Sequence, residues 1–144
     1  RHSSSAASDV YKRQELGDTA AIIIKGKSKN ILFMPDQDSW KDTLDYYSKE
    51  NIRDFLKMFD IDEALIDGTF WSMDELPGRD ISKIPHPTIE DSIKLLGRKK
   101  EEDPEISFLH LNHSNPVNDL GSKQRKIVEK NGWKISEMGD VLKL

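Results

Sequence analysis

Apolar positions in this chain fall into short blocks, and the spacing within each block separates strands from helices. Thr19–Lys25 is β-branched and apolar, Gly26–Asn30 is a polar turn, and Ile31–Met34 is apolar again up to Pro35. Two such runs around a glycine-led turn predict a hairpin with at least one fully buried strand. Asp38 or Ser39 offers a helix cap, and Ile52, Phe55, Leu56 and Phe59 then recur at helical spacing as one apolar stripe. Ala64–Ile66 reads as a short buried strand ending at Asp67. Gly68–Pro87, rich in glycine and proline, predicts a long loop, which in a compact domain is usually functional. Thr88 with Asp91 resembles a capping box, and Ile89, Ile93 and Leu96 supply the buried stripe of a helix stopped at Gly97. After the charged connector Lys99–Glu105, Ile106–Leu111 predicts a strand and Ser122–Lys130 a helix closed by Asn131 and Gly132. Trp133–Ser136 with Val141–Leu144 predicts a terminal hairpin or pair of strands. Alternating β and α elements with buried strands predict a layered α/β sheet.

Composition narrows this picture. A chain of 144 residues is long enough for one domain with a real core and no more. With 35% hydrophobic and 33% charged residues it lies on the polar side of globular composition, but the segregation of apolar blocks from charged ones argues against disorder. A net charge of −4 supplies no basic field for a phosphate backbone, so nucleic acid is not an indicated partner. No apolar run reaches membrane-spanning length. Zero cysteines removes disulfides and thiolate ligands, so any metal must be held by histidine and carboxylate, and fits a cytoplasmic protein.

Arg1–Gln14 has the composition of a tail and no periodicity, and Ser4–Gln14 resembles the in-frame translation of a sequencing-library adapter. Residues 1–14 are therefore expected to be a disordered, non-native tail, with residues 15–144 as the folded part. On that expectation the natural chain begins further upstream.

Ligands of open α/β sheets bind outside the carboxyl ends of the strands. Asp67 ends one strand, His86 precedes the helix capped by Thr88, and His110 and His113 close the strand from Ile106. Taken singly, the aspartate reads as a turn cap and His110 as a satisfied core histidine. Taken together, a carboxylate and imidazoles on strand ends of one sheet suit Zn²⁺ or another borderline first-row ion.

Ala64–Trp71 (ALIDGTFW), residues 77–92 (PGRDISKIPHPTIEDS) and Phe108–Pro116 (FLHLNHSNP) resemble the C-terminal half of the metallo-β-lactamase-fold hydrolases. The likeness is nearest to the branch that includes coenzyme PQQ synthesis protein B and more distant to the tRNase Z group. Residues 17–36 resemble the strand pair that precedes the aspartate strand there, so the likeness covers residues 17–144. It implies the C-terminal half of a four-layer αββα sandwich, a mixed sheet flanked by helices. It also implies that Asp67 is the metal carboxylate, His110 the last histidine ligand and His86 a loop histidine that assists proton transfer. His113, Thr69 and Asn115 are then substrate contacts or supports of the ligands.

The superfamily's His-x-His-x-Asp-His loop and its middle histidine ligand have no counterpart here. The resemblance therefore implies that this piece alone binds metal weakly and is inactive, and that its uncovered sheet face favours aggregation. For the whole protein it implies Zn²⁺, with iron or manganese as alternatives, and metal-activated water attacking an ester, amide or phosphodiester. The PQQ branch implies a rival, metal-dependent oxidation of a peptide-derived substrate. A different class of function is a non-catalytic binding module whose groove is lined by Trp40, Phe70 and Trp71. The expected partner is a small-molecule or peptide-derived substrate.

Overall fold

In the computed structural model of the chain, residues 9–12, 20–76, 78 and 85–144 are described. The middle of the predicted loop, at residues 77 and 79–84, and most of the N-terminal tail lie outside them. The hairpin forms as the sequence predicts, from β2 (Ala20–Lys25) and β3 (Asn30–Met34), closed by the Gly26 amide donating to the Lys29 carbonyl at 2.9 Å. β4 (Glu63–Asp67) and β5 (Glu105–Leu109) then add in parallel beside β3.

Three helical connections join the parallel strands. α1 (Trp40–Tyr46) and α2 (Ile52–Met58) lie between β3 and β4, α3 (Ile89–Leu96) between β4 and β5, and α4 (Lys123–Lys130) before β6 (Lys134–Ile135). The strands follow one another in the sheet in chain order, so right-handed crossovers place every helix on the same face. The core confirms it: Leu32, Met34, Ala64, Ile66, Ile106 and Phe108 pack in one cluster with Trp40, Leu56, Ile93 and Val128. Alternation along each strand sends Ile22, Phe33, Leu65 and Leu109 to the other face, where they are only half-buried, and Ile24 is 40% exposed.

Several elements differ from the sequence reading. The helical segment after Ser39 is two helices. Ser39 caps the first by accepting from the Asp42 amide, the chain turns at Ser48 with φ +52°, and the Asn51 side chain caps the second by accepting from the Asp54 amide. β5 stops at Leu109 rather than Leu111, because His110 takes φ +61° and leaves the strand. The terminal pair is not a hairpin: β6 joins β5 in parallel through Ser107–Lys134 and Phe108–Ile135, as a strand arriving from a crossover helix must, and Val141–Leu144 forms no strand. Asp9–Lys12, within the segment read as a tail, forms β1 and pairs antiparallel with β2, completing the order β1-β2-β3-β4-β5-β6. Periodicity cannot announce such a strand, because its partner is the otherwise unpaired edge of β2. Among the described residues no helix is long and apolar enough to cross a membrane.

Candidate active site

β3, β4 and β5 are parallel, so their carboxyl ends meet at one edge of the sheet. Asp67, the last residue of β4 and only 1% exposed, is the centre of that edge. Its Oδ1 accepts from the Thr69 amide and the Thr69 hydroxyl, both at 2.8 Å. Its Oδ2 accepts from the Gln37 amide at 3.0 Å and faces His86 Nδ1 at 2.6 Å. Four polar partners thus fill both carboxylate oxygens. The Gln37 bond brings the exit of β3 against the end of β4, and the Gln37 side chain is itself held by donating to the Thr43 hydroxyl on α1.

His86 is placed by the start of α3. Thr88 caps that helix, and two of its first amides donate outside it, Ile89 to the Phe70 carbonyl and Glu90 to the Trp71 carbonyl. The loop leaving Asp67 and the helix arriving after His86 are thereby stitched together, and Phe70 packs edge-on against the His86 ring. The hydrogen bond that His86 donates to Asp67 raises the His86 pKa above the ordinary histidine value, against the opposing effect of burial, and the charges of Asp67, Asp36 and Asp38 add to the rise. Asp36, next after the proline that ends β3, brings Oδ1 to 3.7 Å from His86 Nδ1.

His110 reaches the same place from β5. Its Nδ1 lies 3.1 Å from the Thr69 hydroxyl, and its ring centre is 6.2 Å from that of His86. The loops carrying these groups are clamped from behind. Asn115, 2% exposed, donates to the carbonyls of Gly68 and Thr69 and accepts from the Val117 amide, while the Asn112 amide donates to the Thr69 carbonyl. Gly68 is needed here, because a Cβ on it would meet Phe108 Cβ at 2.9 Å and the Leu109 carbonyl at 3.0 Å.

Of the residues expected from the sequence, Asp67, Thr69, His86 and His110 come together. Asn115 lies beneath them as a buried support of the loop backbone, and His113 is exposed, with no hydrogen bond to the group among the described residues. Asp36 was missed. It follows β3 as Asp67 ends β4, a strand-end position that is the signal by which it was readable.

Asp36, Asp67 and His86 each offer a donor atom within 4.8 Å of the others, a set able to hold a metal ion. Carboxylate and imidazole donors suit zinc and its first-row neighbours. Within that set the oxygens of Asp67 are already engaged, whereas Asp36 makes no hydrogen bond among the described residues.

No protein-family model matches the chain. Among curated proteins, the coenzyme PQQ synthesis protein B of Gluconobacter oxydans is 31% identical over 93 residues, covering 58% of this chain and 29% of that protein. That of Ruegeria pomeroyi is 28% identical over 92 residues, covering 58% of this chain and 30% of its own length. The chain therefore spans less than a third of the length of these relatives in the matched region. Among solved structures, Zn²⁺-bound PqqB from Methylobacterium extorquens superimposes with a TM-score of 0.61 at 22% identity, covering 88% of this chain and 44% of that one. The resemblance to the PqqB-like branch is thus met again, in sequence and in fold, and the α/β architecture is that of a metallo-β-lactamase-fold protein.

Proposed function

We propose that this chain contributes one part of a metal-dependent active site in a PqqB-like enzyme, with Asp36 and His110 as metal-facing groups and the Asp67–His86 pair as a proton-handling unit. The observation that carries this reading is the 2.6 Å contact between Asp67 and His86 at a strand-end edge that also gathers Asp36 and His110. In it the ligand role expected of Asp67 passes to Asp36, because Asp67 has its four acceptor positions filled. Zinc is favoured by the carboxylate and imidazole character of Asp36 and His110 and by the zinc-bound solved relative, and iron or manganese suits the same donors.

A bound ion of this kind supplies a water ionised near neutral pH, suited to attack on an ester, amide or phosphodiester. The residues of this chain do the rest. Asp67 accepts from His86 Nδ1, leaving Nε2 to give a proton to a leaving group or take one from a nucleophile. The raised His86 pKa keeps the ring protonated closer to neutrality, the state a proton donor needs. A second reading of the same groups is metal-dependent oxidation of a peptide-derived substrate; the name of the matched relatives supports a place in coenzyme synthesis.

Zinc titration of the chain tests the assignment. Asp36→Asn is expected to abolish measurable zinc binding, and His86→Ala, which removes an outer contact of Asp36, to weaken it by about tenfold. Unchanged affinity in Asp36→Asn overturns the reading.

A further inference from the structure

We infer that Thr69 is a positioning residue that fixes the tautomer of His110, holding the ring proton on Nδ1 and leaving Nε2 as the free basic nitrogen. The Thr69 hydroxyl lies 2.8 Å from Asp67 Oδ1, 3.1 Å from His110 Nδ1 and 3.4 Å from His86 Nδ1. A hydroxyl has one proton to place among these. Asp67 presents only acceptors: Oδ1 also takes the Thr69 amide, and Oδ2 takes the Gln37 amide and His86. The hydroxyl proton therefore goes to Asp67. Turned toward His110 instead, it would leave two oxygens 2.8 Å apart with lone pairs facing and no proton between them.

Once that proton is committed, Thr69 shows His110 only lone pairs. The 3.1 Å contact is then a hydrogen bond when Nδ1 carries the proton, and a repulsion when it does not. His86 is set by the same carboxylate without an intermediary, so Asp67 governs both rings, one directly and one through a hydroxyl. The result is two imidazoles with both Nε2 atoms unprotonated, the opposite of the tautomer that a free histidine side chain prefers in water. Thr69 is rigid enough for the task, since its own amide donates to Asp67 and its carbonyl accepts from Asn112 and Asn115. This deepens the proposed function by saying how His110 is prepared to meet a cation.

The test reads the imidazole nitrogens of the 144-residue chain by long-range proton–nitrogen correlation NMR, without metal and at alkaline pH where the rings are neutral. In the unsubstituted chain both His86 and His110 are expected mainly as the Nδ1–H form. Thr69→Val, which keeps the shape and removes the hydroxyl, is expected to turn His110 to a majority of Nε2–H while His86 stays as it was. Thr69→Ser is expected to restore the original pattern. A majority of Nε2–H at His110 in the unsubstituted chain, or an unaltered His110 in Thr69→Val, overturns the inference. If Thr69→Val does not fold, the unsubstituted and Thr69→Ser spectra decide: Nδ1–H at His110 in both supports it and Nε2–H in either overturns it. No metal enters the measurement, so a failed zinc titration and a failed tautomer assignment are separate results.

Discussion

β4 carries a buried carboxylate at each end, and the two are built differently. Glu63, at the amino end, is paired with Lys29 Nζ at 3.3 Å. Its surroundings follow the same rule: Glu105 on β5 binds Lys99 and Lys134, and Asp103 takes a two-pronged bond from the Arg53 guanidinium, each at 2.7 Å. Asp67, at the carboxyl end, has no lysine or arginine partner among the described residues and is held by two amides, a hydroxyl and an imidazole. A permanent cation keeps a carboxylate quiet at every ordinary pH and leaves nothing to exchange. Backbone donors and an imidazole hold it just as firmly while keeping beside it a group that gains and loses protons near neutrality. The contrast between two ends of one strand therefore separates scaffold from site.

The largest expected effect comes from removing each carboxylate in turn. Asp67→Ala leaves two amides, a hydroxyl and His86 without their acceptor in a buried place, which costs about 3–5 kcal/mol in urea unfolding. Glu63→Ala breaks a pair whose lysine is 44% exposed, and about 1 kcal/mol or less is expected. Equal losses from the two substitutions would erase the contrast. Next in size is Gly68→Ala. The added Cβ presses on the backbone of β5, a carbonyl that cannot rotate away, and a loss of about 1–3 kcal/mol is expected at the site end of the sheet.

The two ends also respond to pH in opposite directions. His86 is raised above its ordinary 6.5 first by its bond to Asp67, so the stabilisation it brings is complete below that value and fades as pH climbs through the raised pKa. Asp103 is lowered from 3.8, chiefly by Arg53, and Glu105 from 4.5, by Lys134 and Lys99. Their stabilisation is complete above those values and fades as pH falls through the lowered ones. Urea midpoints followed across pH are expected to decline on the alkaline side in the unsubstituted chain and not in His86→Asn, with both declining in acid. An alkaline decline that persists in His86→Asn would assign it to another group.

Much of the scaffold was legible in the sequence because it rests on local signals. The β2–β3 hairpin follows from apolar runs around Gly26, and α3 from Thr88, Asp91 and Gly97. The break between α1 and α2 was also written locally, in Asn51 and Asp54 three residues on, but the apolar stripe beyond it masked the cap. β1 and β6 were not legible in their final form, since their pairing is decided by which sheet edge is open and by the direction of the arriving chain. At the site, Asp67, His86 and His110 were found because parallel strands deliver their ends to one edge. That the oxygens of Asp67 are filled depends on the Gln37 amide arriving from β3, thirty residues away in sequence, and no local pattern carries it.

His110 gives the smallest expected effect on stability and the sharpest form of the comparison. It holds φ +61°, where an L side chain costs roughly 1 kcal/mol or more. At the ends of α3 and α4 positive φ falls to glycine, Gly97 at φ +64° with ψ −156° and Gly132 at φ +86°, where no such penalty applies. Ser48 and Asp60, both at φ +52° in the turns after α1 and α2, carry the same positive φ on polar side chains in the scaffold, and His110 is the residue that does so at the site edge. His110→Gly removes that cost together with one part-buried hydrogen bond to Thr69, two effects of about 1 kcal/mol and opposite sign, so the urea midpoint is expected to stay within about 1 kcal/mol of the unsubstituted chain. Zinc affinity is expected to fall by about tenfold or more in the same variant. A loss of stability beyond about 1 kcal/mol would mean that His110 belongs to the scaffold as much as to the site.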